Sequence, residues 1–340
     1  MKIDLTETTS SKINQALVSA RRAVGTPAIG MVLTLVIVTD EENAYDALKA
    51  ASDSSREHPS RIIAVIKRVS RSPRSRRDAR LDAEVRVGSD SGSGETIVLR
   101  LHGELANHAQ SVVLPLLLPD APVVLWWPED APSDPAKDPL GALAQRRITD
   151  AYSAVAPSAE LAVRAQSYTP GDTDLSWTRI TPWRSMLAAA LDQKPVEVLS
   201  ATVEGESENP SCELLAMWLA DRLKVPVQRT LSAGPGLTAV RMETKDGAIV
   251  LDRPDGSLAT LSMEGQPNRA VALKRRETAE LLAEELRRLD PDNTYEATVK
   301  FGVENLADAA EPEPAAPKAA EPAATPTAAK KTAAKRAAAK

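Results

Sequence analysis

The hydrophobic and polar positions of the first half switch repeatedly between helical and strand periodicity. Ile13 and Leu17 recur at helical spacing after a Thr/Ser-rich start. The β-branched apolar run at 31–38 predicts a strand, and the polar residues after it predict a helix over 41–51. The apolar run RIIAVI at 61–66 predicts a second strand.

The same alternation continues to about residue 140. Segments 81–87 and 96–101 alternate strictly between apolar and polar residues, which predicts a hairpin. A helical stripe covers 105–117, and 123–125 is a short buried strand. Segment 128–139 has four prolines, which predicts a loop. Continuous apolar strands between amphipathic helices indicate an α/β layer with a partly parallel, mixed sheet.

The pattern changes in the second half. Residues 196–272 contain several short strand patterns, and the Asp-Gly pairs at 246–247 and 255–256 predict tight turns between neighbouring strands. A helix is predicted over 278–289, with acidic residues in its first turn and arginines in its last, as the helix dipole favours. This half is typical of an α+β domain with an antiparallel meander.

These patterns predict three regions. We expect an N-terminal α/β domain at 1–155, a C-terminal α+β domain at 156–306 and a disordered Ala/Pro/Lys-rich tail at 307–340. The last eleven residues of the tail hold five Lys or Arg and no acid. The tail is therefore either a solubilising segment or a weak, salt-sensitive contact for anionic surfaces.

Composition places the chain among ordinary globular proteins. Its 340 residues are 43% hydrophobic and 26% charged, with a formal net charge of -5. We therefore expect no membrane partner and no specific nucleic acid, and a cytoplasmic location. The single cysteine, Cys212, excludes an intramolecular disulfide, and its place in a helix that Asn209 caps predicts a buried, inert thiol.

The sequence contains none of the catalytic signatures that can be tested by spacing. No GxGxxG follows a strand, and neither a GK[ST] phosphate loop nor a GxSxG elbow is present. The three histidines, His58, His102 and His108, do not have a metal-ligand spacing. We therefore expect no catalytic residues, no cofactor and no metal.

A basic run lies between two predicted strands. Residues 67–80 hold seven basic residues and one acid, with no aromatic residue that could stack on a base. The run is either a solvated loop or a docking patch for phosphate groups or an acidic partner. In the second case the candidate partner-binding residues are Arg74, Arg76 and Arg77.

Two tryptophans and two arginines lie in the segment GDTDLSWTRITPWR at 171–184, in a chain with only 3% aromatic residues. Trp183 shares a helical face with Leu187, which predicts a core position. Trp177 lies in a polar stretch, so we expect it to be exposed and, with Arg179 and Arg184, to bind a partner.

Four segments together carry a resemblance to a known family. HPSR (58–61), LPLLLPDAPVVLWWP (114–128), RRITD (146–150) and the segment 171–184 resemble the glucose-6-phosphate dehydrogenase assembly protein (OpcA) family in its actinobacterial form. The similarity covers roughly residues 1–305.

The resemblance implies a non-catalytic partner that binds glucose-6-phosphate dehydrogenase and favours its active oligomer. Such proteins raise the activity of the enzyme and support NADPH production in the oxidative pentose phosphate pathway. Cyanobacterial members are linked to thioredoxin control through cysteines, and this chain has only Cys212. His58 and Arg61 of the HPSR motif are further candidates for partner binding.

Two other functions remain open at this point. One is a sugar-phosphate- or nucleotide-binding α/β enzyme that uses His58 and Arg61 at the start of a strand. The other is a nucleoid-associated protein that acts through the basic tail.

Overall fold

The computed structural model describes residues 1–25, 30–68, 79–88, 94–193 and 196–305. The strands in chain order are β1 (Lys2–Leu5), β2 (Leu33–Thr39), β3 (Ser60–Arg68), β4 (Arg80–Val87), β5 (Glu95–His102), β6 (Val123–Trp126), β7 (Arg146–Thr149), β8 (Asp172–Asp174), β9 (Val198–Gly205), β10 (Val227–Leu231), β11 (Leu237–Thr244), β12 (Gly247–Asp252), β13 (Leu258–Met263) and β14 (Arg269–Ala272). The α-helices are α1 (Ser10–Val24), α2 (Ala44–Ser54), α3 (Ala109–Val113), α4 (Pro157–Gln166), α5 (Leu175–Arg179), α6 (Thr181–Gln193), α7 (Pro210–Leu223), α8 (Thr278–Arg287) and α9 (Asn293–Asn305).

The first eight strands form one mixed sheet in the order β1-β4-β5-β3-β2-β6-β7-β8. The six strands from β5 to β8 in this order run parallel to their neighbours. Strands β4 and β1 extend the sheet in antiparallel orientation. The parallel strands follow the order of doubly wound dinucleotide-binding folds, in which the strand order reverses between the first and fourth strands, here β2 and β6. The α/β fold class is confirmed.

Helices cover both faces of the first sheet, which is why its central strands are continuously apolar. On one face, Ile13 and Leu17 of α1 pack into a cluster with Val36 of β2. On the other face, Leu35 of β2 packs with residues of α2 and with Leu282 of α8. Helix α8 follows the second sheet in the chain but packs on the first sheet, so it holds the two halves together.

The remaining six strands form the second sheet, in the order β10-β9-β11-β12-β13-β14. Strands β9 and β10 are parallel, and β11 to β14 form the expected antiparallel meander. One face of this sheet packs against helices: Val240 and Met242 of β11 share a cluster with Leu187 of α6 and Leu215 of α7.

Two predicted helices differ from those observed. The helical stripe at 105–117 is divided into a 3-10 segment (Gly103–His108), α3 and a second 3-10 segment (Leu114–Leu116). Pro115 lacks the amide hydrogen that a continuous α-helix would need there. Helix α2 begins at Ala44 rather than at 41, after a turn in which Asp40 Oδ1 accepts from the Asn43 amide at 2.8 Å.

The first sheet continues past residue 155, because β8 pairs with β7. The boundary between two domains at 155 stays a prediction, and the tail at 307–340 lies outside the described residues. Among the helices of the described ranges, none has the length and apolar character that crossing a bilayer requires.

Candidate functional site

The segment 171–184 joins the two sheets. It contains β8, α5 and the first turn of α6. Asp174, at the end of β8, is completely buried and accepts three hydrogen bonds: from Thr149 Oγ1 at 2.6 Å, from the Ala151 amide at 2.9 Å and from the Ser176 amide at 2.9 Å. A carboxylate with these partners fixes β7, β8 and the start of α5 relative to one another.

Trp177 is only 1% exposed, so the expectation of an exposed Trp177 is wrong. Its indole Nε1 donates to Asp292 Oδ2 at 2.9 Å, and its ring centroid lies 5.6 Å from that of Tyr295. The guanidinium of Arg184 lies 3.5 Å from the centre of the indole ring. The partners that bury this tryptophan come from the residues just before and inside α9, so the polar sequence around Trp177 does not reveal them.

Trp183 and Arg184 lie at the start of α6 and differ in environment. Trp183 is 2% exposed and packs with Leu187, so its predicted core position is confirmed. Arg184, a predicted partner-binding residue, is partly buried over Trp177 and donates to Thr181 Oγ1 at 3.1 Å. Burial lowers the pKa of Arg184 to about 10.

Arg179 also forms its hydrogen bonds within the protein. It donates to both oxygens of Asp150, at 2.6 and 2.7 Å, a paired geometry that adds both energy and orientation. Burial acts to lower the pKa of Arg179, but the charge of Asp150 outweighs it and the pKa is raised. Contact of Arg179 or Arg184 with a partner protein stays a prediction.

The other sequence-predicted site residues lie away from this junction. Arg61 is 5% exposed; it donates to Glu95 at 3.0 Å and to the Leu116 carbonyl at 2.7 Å, so its guanidinium is engaged internally. His58 is partly buried, and its Nε2 finds no hydrogen-bond partner among the described residues. Segment 69–78, which includes the three candidate arginines of the basic run, lies outside the described residues.

Carboxylates occupy the edge of the first sheet where the strand order reverses. Thr39, at the end of β2, donates to Glu129 Oε2 at 3.2 Å. Burial raises the pKa of Glu129, and the nearby charges of Asp40 and Asp130 add to this effect. In dinucleotide-binding members of this fold class, the corresponding edge carries a glycine-rich loop and a helix N-terminus that receive phosphates. An acidic edge disfavours a dinucleotide.

Cys212 is buried, as the sequence predicts, and the inertness of its thiol stays a prediction. Asn209 Oδ1 accepts from the amides of Ser211 at 3.0 Å and Cys212 at 3.4 Å, so Asn209 caps α7. Cys212 is 0% exposed, and burial raises its pKa to about 12. Within the described ranges, no three His, Cys, Asp or Glu side chains are grouped closely enough to hold a metal ion.

The second sheet has one face that its helices do not cover, which we call the open face. Val240 and Met242 point toward α6 and α7, so Arg241 between them points to the opposite side. Strand register places several rows of side chains on this side: two rows cross most of the sheet, and a shorter one holds Ser200, Glu243 and Ala248. The central row is Gln228, Thr202, Arg241, Val250 and Ser262. The neighbouring row is Thr230, Glu204, Ala239, Asp252, Thr260 and Ala270. None of these residues is buried.

The two sheets, the strand order and the acidic edge define a class: an α/β protein with the topology of a dinucleotide-binding fold but without its phosphate-binding loop. Two family models match consecutive parts of the chain, and their boundary lies just before β8. The N-terminal domain of a glucose-6-phosphate dehydrogenase subunit matches residues 51–166, and the C-terminal domain of that subunit matches 170–299. The chain belongs to the glucose-6-phosphate dehydrogenase assembly protein (OpcA) family, which confirms the resemblance seen in the sequence.

Solved structures resemble the chain only distantly. An oxidoreductase from Sinorhizobium meliloti is 10% identical, with 78% of this chain and 85% of that chain covered and a TM-score of 0.39. The WlbA dehydrogenase from Chromobacterium violaceum, in complex with NADH and UDP-GlcNAcA, is 10% identical, with 82% and 89% covered and a TM-score of 0.30. An E. coli structure described as trehalose-6-phosphate bound with UDP-2-fluoro glucose is 10% identical, with 58% and 64% covered and a TM-score of 0.25. No curated protein matches the chain.

Proposed function

We propose that this protein is a non-catalytic subunit that binds glucose-6-phosphate dehydrogenase in the cytoplasm, promotes its active oligomer and raises its activity. It thereby supports NADPH production in the oxidative pentose phosphate pathway. The observation that carries the proposal is the match of two consecutive family models, both described as parts of a subunit of this dehydrogenase. The acidic edge at β2 and β6 supports a non-catalytic role, since a nicotinamide dinucleotide would bring phosphates to carboxylates.

The open face is the surface that we assign to the dehydrogenase. In the central row only Arg241 carries charge, and that charge is paired with Glu243; the other side chains of the row are small, β-branched or neutral polar. Depletion of charge at the centre of a surface is typical of protein–protein interfaces. The backbone of this face is held by a hydrogen-bonded sheet, so little backbone conformational entropy is lost when a partner binds.

The size of the open face fits this role. Six strands at a spacing of ~4.8 Å, each about 20 Å long, give a flat area of roughly 500 Å². A stable interface takes about 800 Å² of accessible surface from each partner. The open face therefore supplies a large part of one interface, and the loops at its rim supply the rest.

The internal use of Arg61 weighs against an enzyme that binds a sugar phosphate or nucleotide through His58 and Arg61. The guanidinium of Arg61 already donates to Glu95 and to the Leu116 carbonyl, and it is 5% exposed. Removing it from these partners to bind a substrate would leave the buried Glu95 with Arg21, which is more exposed than Arg61, as its remaining ion-pair partner.

The proposed function is tested by adding the purified protein to purified glucose-6-phosphate dehydrogenase. We expect the initial rate of NADPH formation to rise and saturate with added protein, and the mass of the dehydrogenase oligomer to increase in mass photometry. The protein alone should give no turnover with glucose 6-phosphate and NADP. An unchanged rate together with separate elution of the two proteins would contradict the proposal, and turnover by the protein alone would support an enzyme instead.

A further inference from the structure

A cavity of about 330 Å³ lies where the two sheets meet, and we call it the junction cavity. Its walls come from distant parts of the chain. The residues that matter most for its chemistry are Tyr152, Arg179, Ser211, Arg253, Arg275 and Arg276. The volume is at the lower end of the range for small-molecule sites.

The lining is rich in cations, and three of them have carboxylate partners. Arg179 is paired with Asp150. Arg276 donates to Glu284, and Lys274 Nζ lies 3.2 Å from Glu280 Oε1. In each of these pairs the carboxylate offsets the charge of the cation. The pairs therefore add little net positive charge to the cavity.

Arg253 is different, because it is a buried cation without a buried anion. It is 5% exposed and donates to the carbonyls of Leu273 at 2.8 Å and Leu237 at 2.7 Å. In the described part of the chain, its Nε has no hydrogen-bond partner and no carboxylate lies within ion-pair distance. Its guanidinium is held 4.9 Å from the ring centre of Trp183. A charge held out of water in this way is costly unless an opposite charge reaches it.

Arg275 is a second cation without an ion-pair partner among the described residues. Its guanidinium makes one long contact, 3.3 Å to Tyr152 Oη, while its backbone amide donates to the Gly256 carbonyl at 3.1 Å. The backbone is therefore fixed, and the exposed side chain is free to turn toward a ligand. Ser211, in the first turn of α7, also lines the cavity, at the positive end of a 14-residue helix.

We propose that the junction cavity binds a small anion that carries a phosphate group, with Arg253 and Arg275 as its main ligands. Planar guanidinium groups match the geometry of phosphate oxygens, and a phosphate would supply the negative charge that these two arginines lack. The volume admits a phosphate alone or a phosphate ester of sugar size. This site does not depend on the dehydrogenase, and it lies apart from His58 and Arg61.

Binding should couple the two halves of the protein. The wall residues come from the loop after β7, from α5, from the end of β12 and from the segment before α8. A ligand that binds only when these segments are together stabilises the folded protein, and the stabilisation grows with the logarithm of the ratio of ligand concentration to dissociation constant.

The test is calorimetric titration of the full chain with inorganic phosphate, with glucose 6-phosphate and with glucose, each followed by a thermal melt. We expect at least one of the two phosphate-bearing probes to bind and raise the melting temperature, and glucose not to bind. Binding of both probes with equal affinity identifies the phosphate group alone as the ligand. Tighter binding of the ester identifies a site for a phosphate ester.

Two variants locate the site. Arg275→Gln removes an exposed cation and should fold normally while weakening binding by about tenfold or more. Arg222→Gln removes an exposed arginine outside the cavity and should bind as the parent does. Arg253→Gln should abolish binding, and a thermal melt reports whether it folds. The proposal is overturned if neither phosphate-bearing probe binds at millimolar concentration, or if folded Arg275→Gln binds both probes as tightly as the parent.

Discussion

Replacing Trp177 with phenylalanine should destabilise the protein, because the indole N–H is a buried donor to a charged acceptor. Asp292 Oδ1 keeps the amides of Thr294 at 2.8 Å and Tyr295 at 3.0 Å, but Oδ2 loses its hydrogen bond from Trp177. A hydrogen bond to a charged group contributes about 1.5–3 kcal/mol. The smaller ring leaves a cavity that costs ~1 kcal/mol. We therefore expect Trp177→Phe to lower the free energy of unfolding by about 2.5–4 kcal/mol.

Trp126 provides a matched control. It is also 1% exposed, but its Nε1 has no hydrogen-bond partner among the described residues. In Trp126→Phe the same ~1 kcal/mol cavity cost is offset by removal of an unsatisfied donor, which costs about 1–3 kcal/mol when buried. Trp126→Phe should therefore be close to neutral.

Urea unfolding followed by far-ultraviolet circular dichroism measures both variants against the parent. The account predicts that Trp177→Phe is less stable than Trp126→Phe by roughly 2 kcal/mol or more. Equal stabilities of the two variants would refute the argument that the bond to Asp292 holds α5 against α9.

The remaining predictions concern pH, the thiol and the basic run. Burial acts to raise the pKa of Asp292, but the Trp177 bond and two amides outweigh it, so the pKa is lowered. The stability from this group is therefore present above the unfolded pKa of about 3.9 and is lost as pH falls through the folded value. Unfolding at a series of pH values should accordingly show the effect of the phenylalanine variant in full at neutral pH and shrinking below about pH 4. Cys212, whose pKa is about 12, should not react with iodoacetamide at neutral pH until urea unfolds the protein, as mass spectrometry would show. Neutralising Arg74, Arg76 and Arg77 together should slow association with the dehydrogenase in stopped-flow mixing, and the effect should shrink as salt is added.

Much of the fold follows from the periodicity of the sequence. Trp183 and Leu187 recur at helical spacing, and both are buried in the hydrophobic cluster between the second sheet and its helices. Strands β2 and β3 are continuous apolar runs, and both lie in the centre of the parallel sheet. Where burial is a matter of apolar spacing within one element, the sequence is enough to predict it.

The parts that sequence reasoning missed are buried polar contacts between distant segments. Trp177 lies in a polar stretch, and the partner of its indole is 115 residues later. Strand β7 begins with two arginines, which are typical of an exposed segment, but Arg146 and Arg147 are only 4% and 6% exposed. Arg146 pairs with Glu285, and Arg147 pairs with Asp172. No local spacing indicates such pairs, because each half of the pair resembles an exposed residue by itself.

The open face could not be located from the sequence either. Val250 alternates with buried Ile249 and Leu251, so its strand looks like any half-buried strand. Only the register of six strands shows that its outward residues form continuous rows without a covering helix. Whether such rows form depends on how strands far apart in the chain pair with one another.

The central claim is that the open face binds glucose-6-phosphate dehydrogenase, and titration of the dehydrogenase with Val250→Arg tests it most directly. Val250 lies mid-row opposite Arg241, whose charge is paired with Glu243, so an added arginine places a bulky, unpaired cation at the centre of the interface. Val18, in α1, is 41% exposed, and Val18→Arg is the control for an added surface charge. The account predicts that both variants remain folded, with parent-like affinity for Val18→Arg and at least about tenfold weaker binding for Val250→Arg. Parent-like binding by folded Val250→Arg would contradict it.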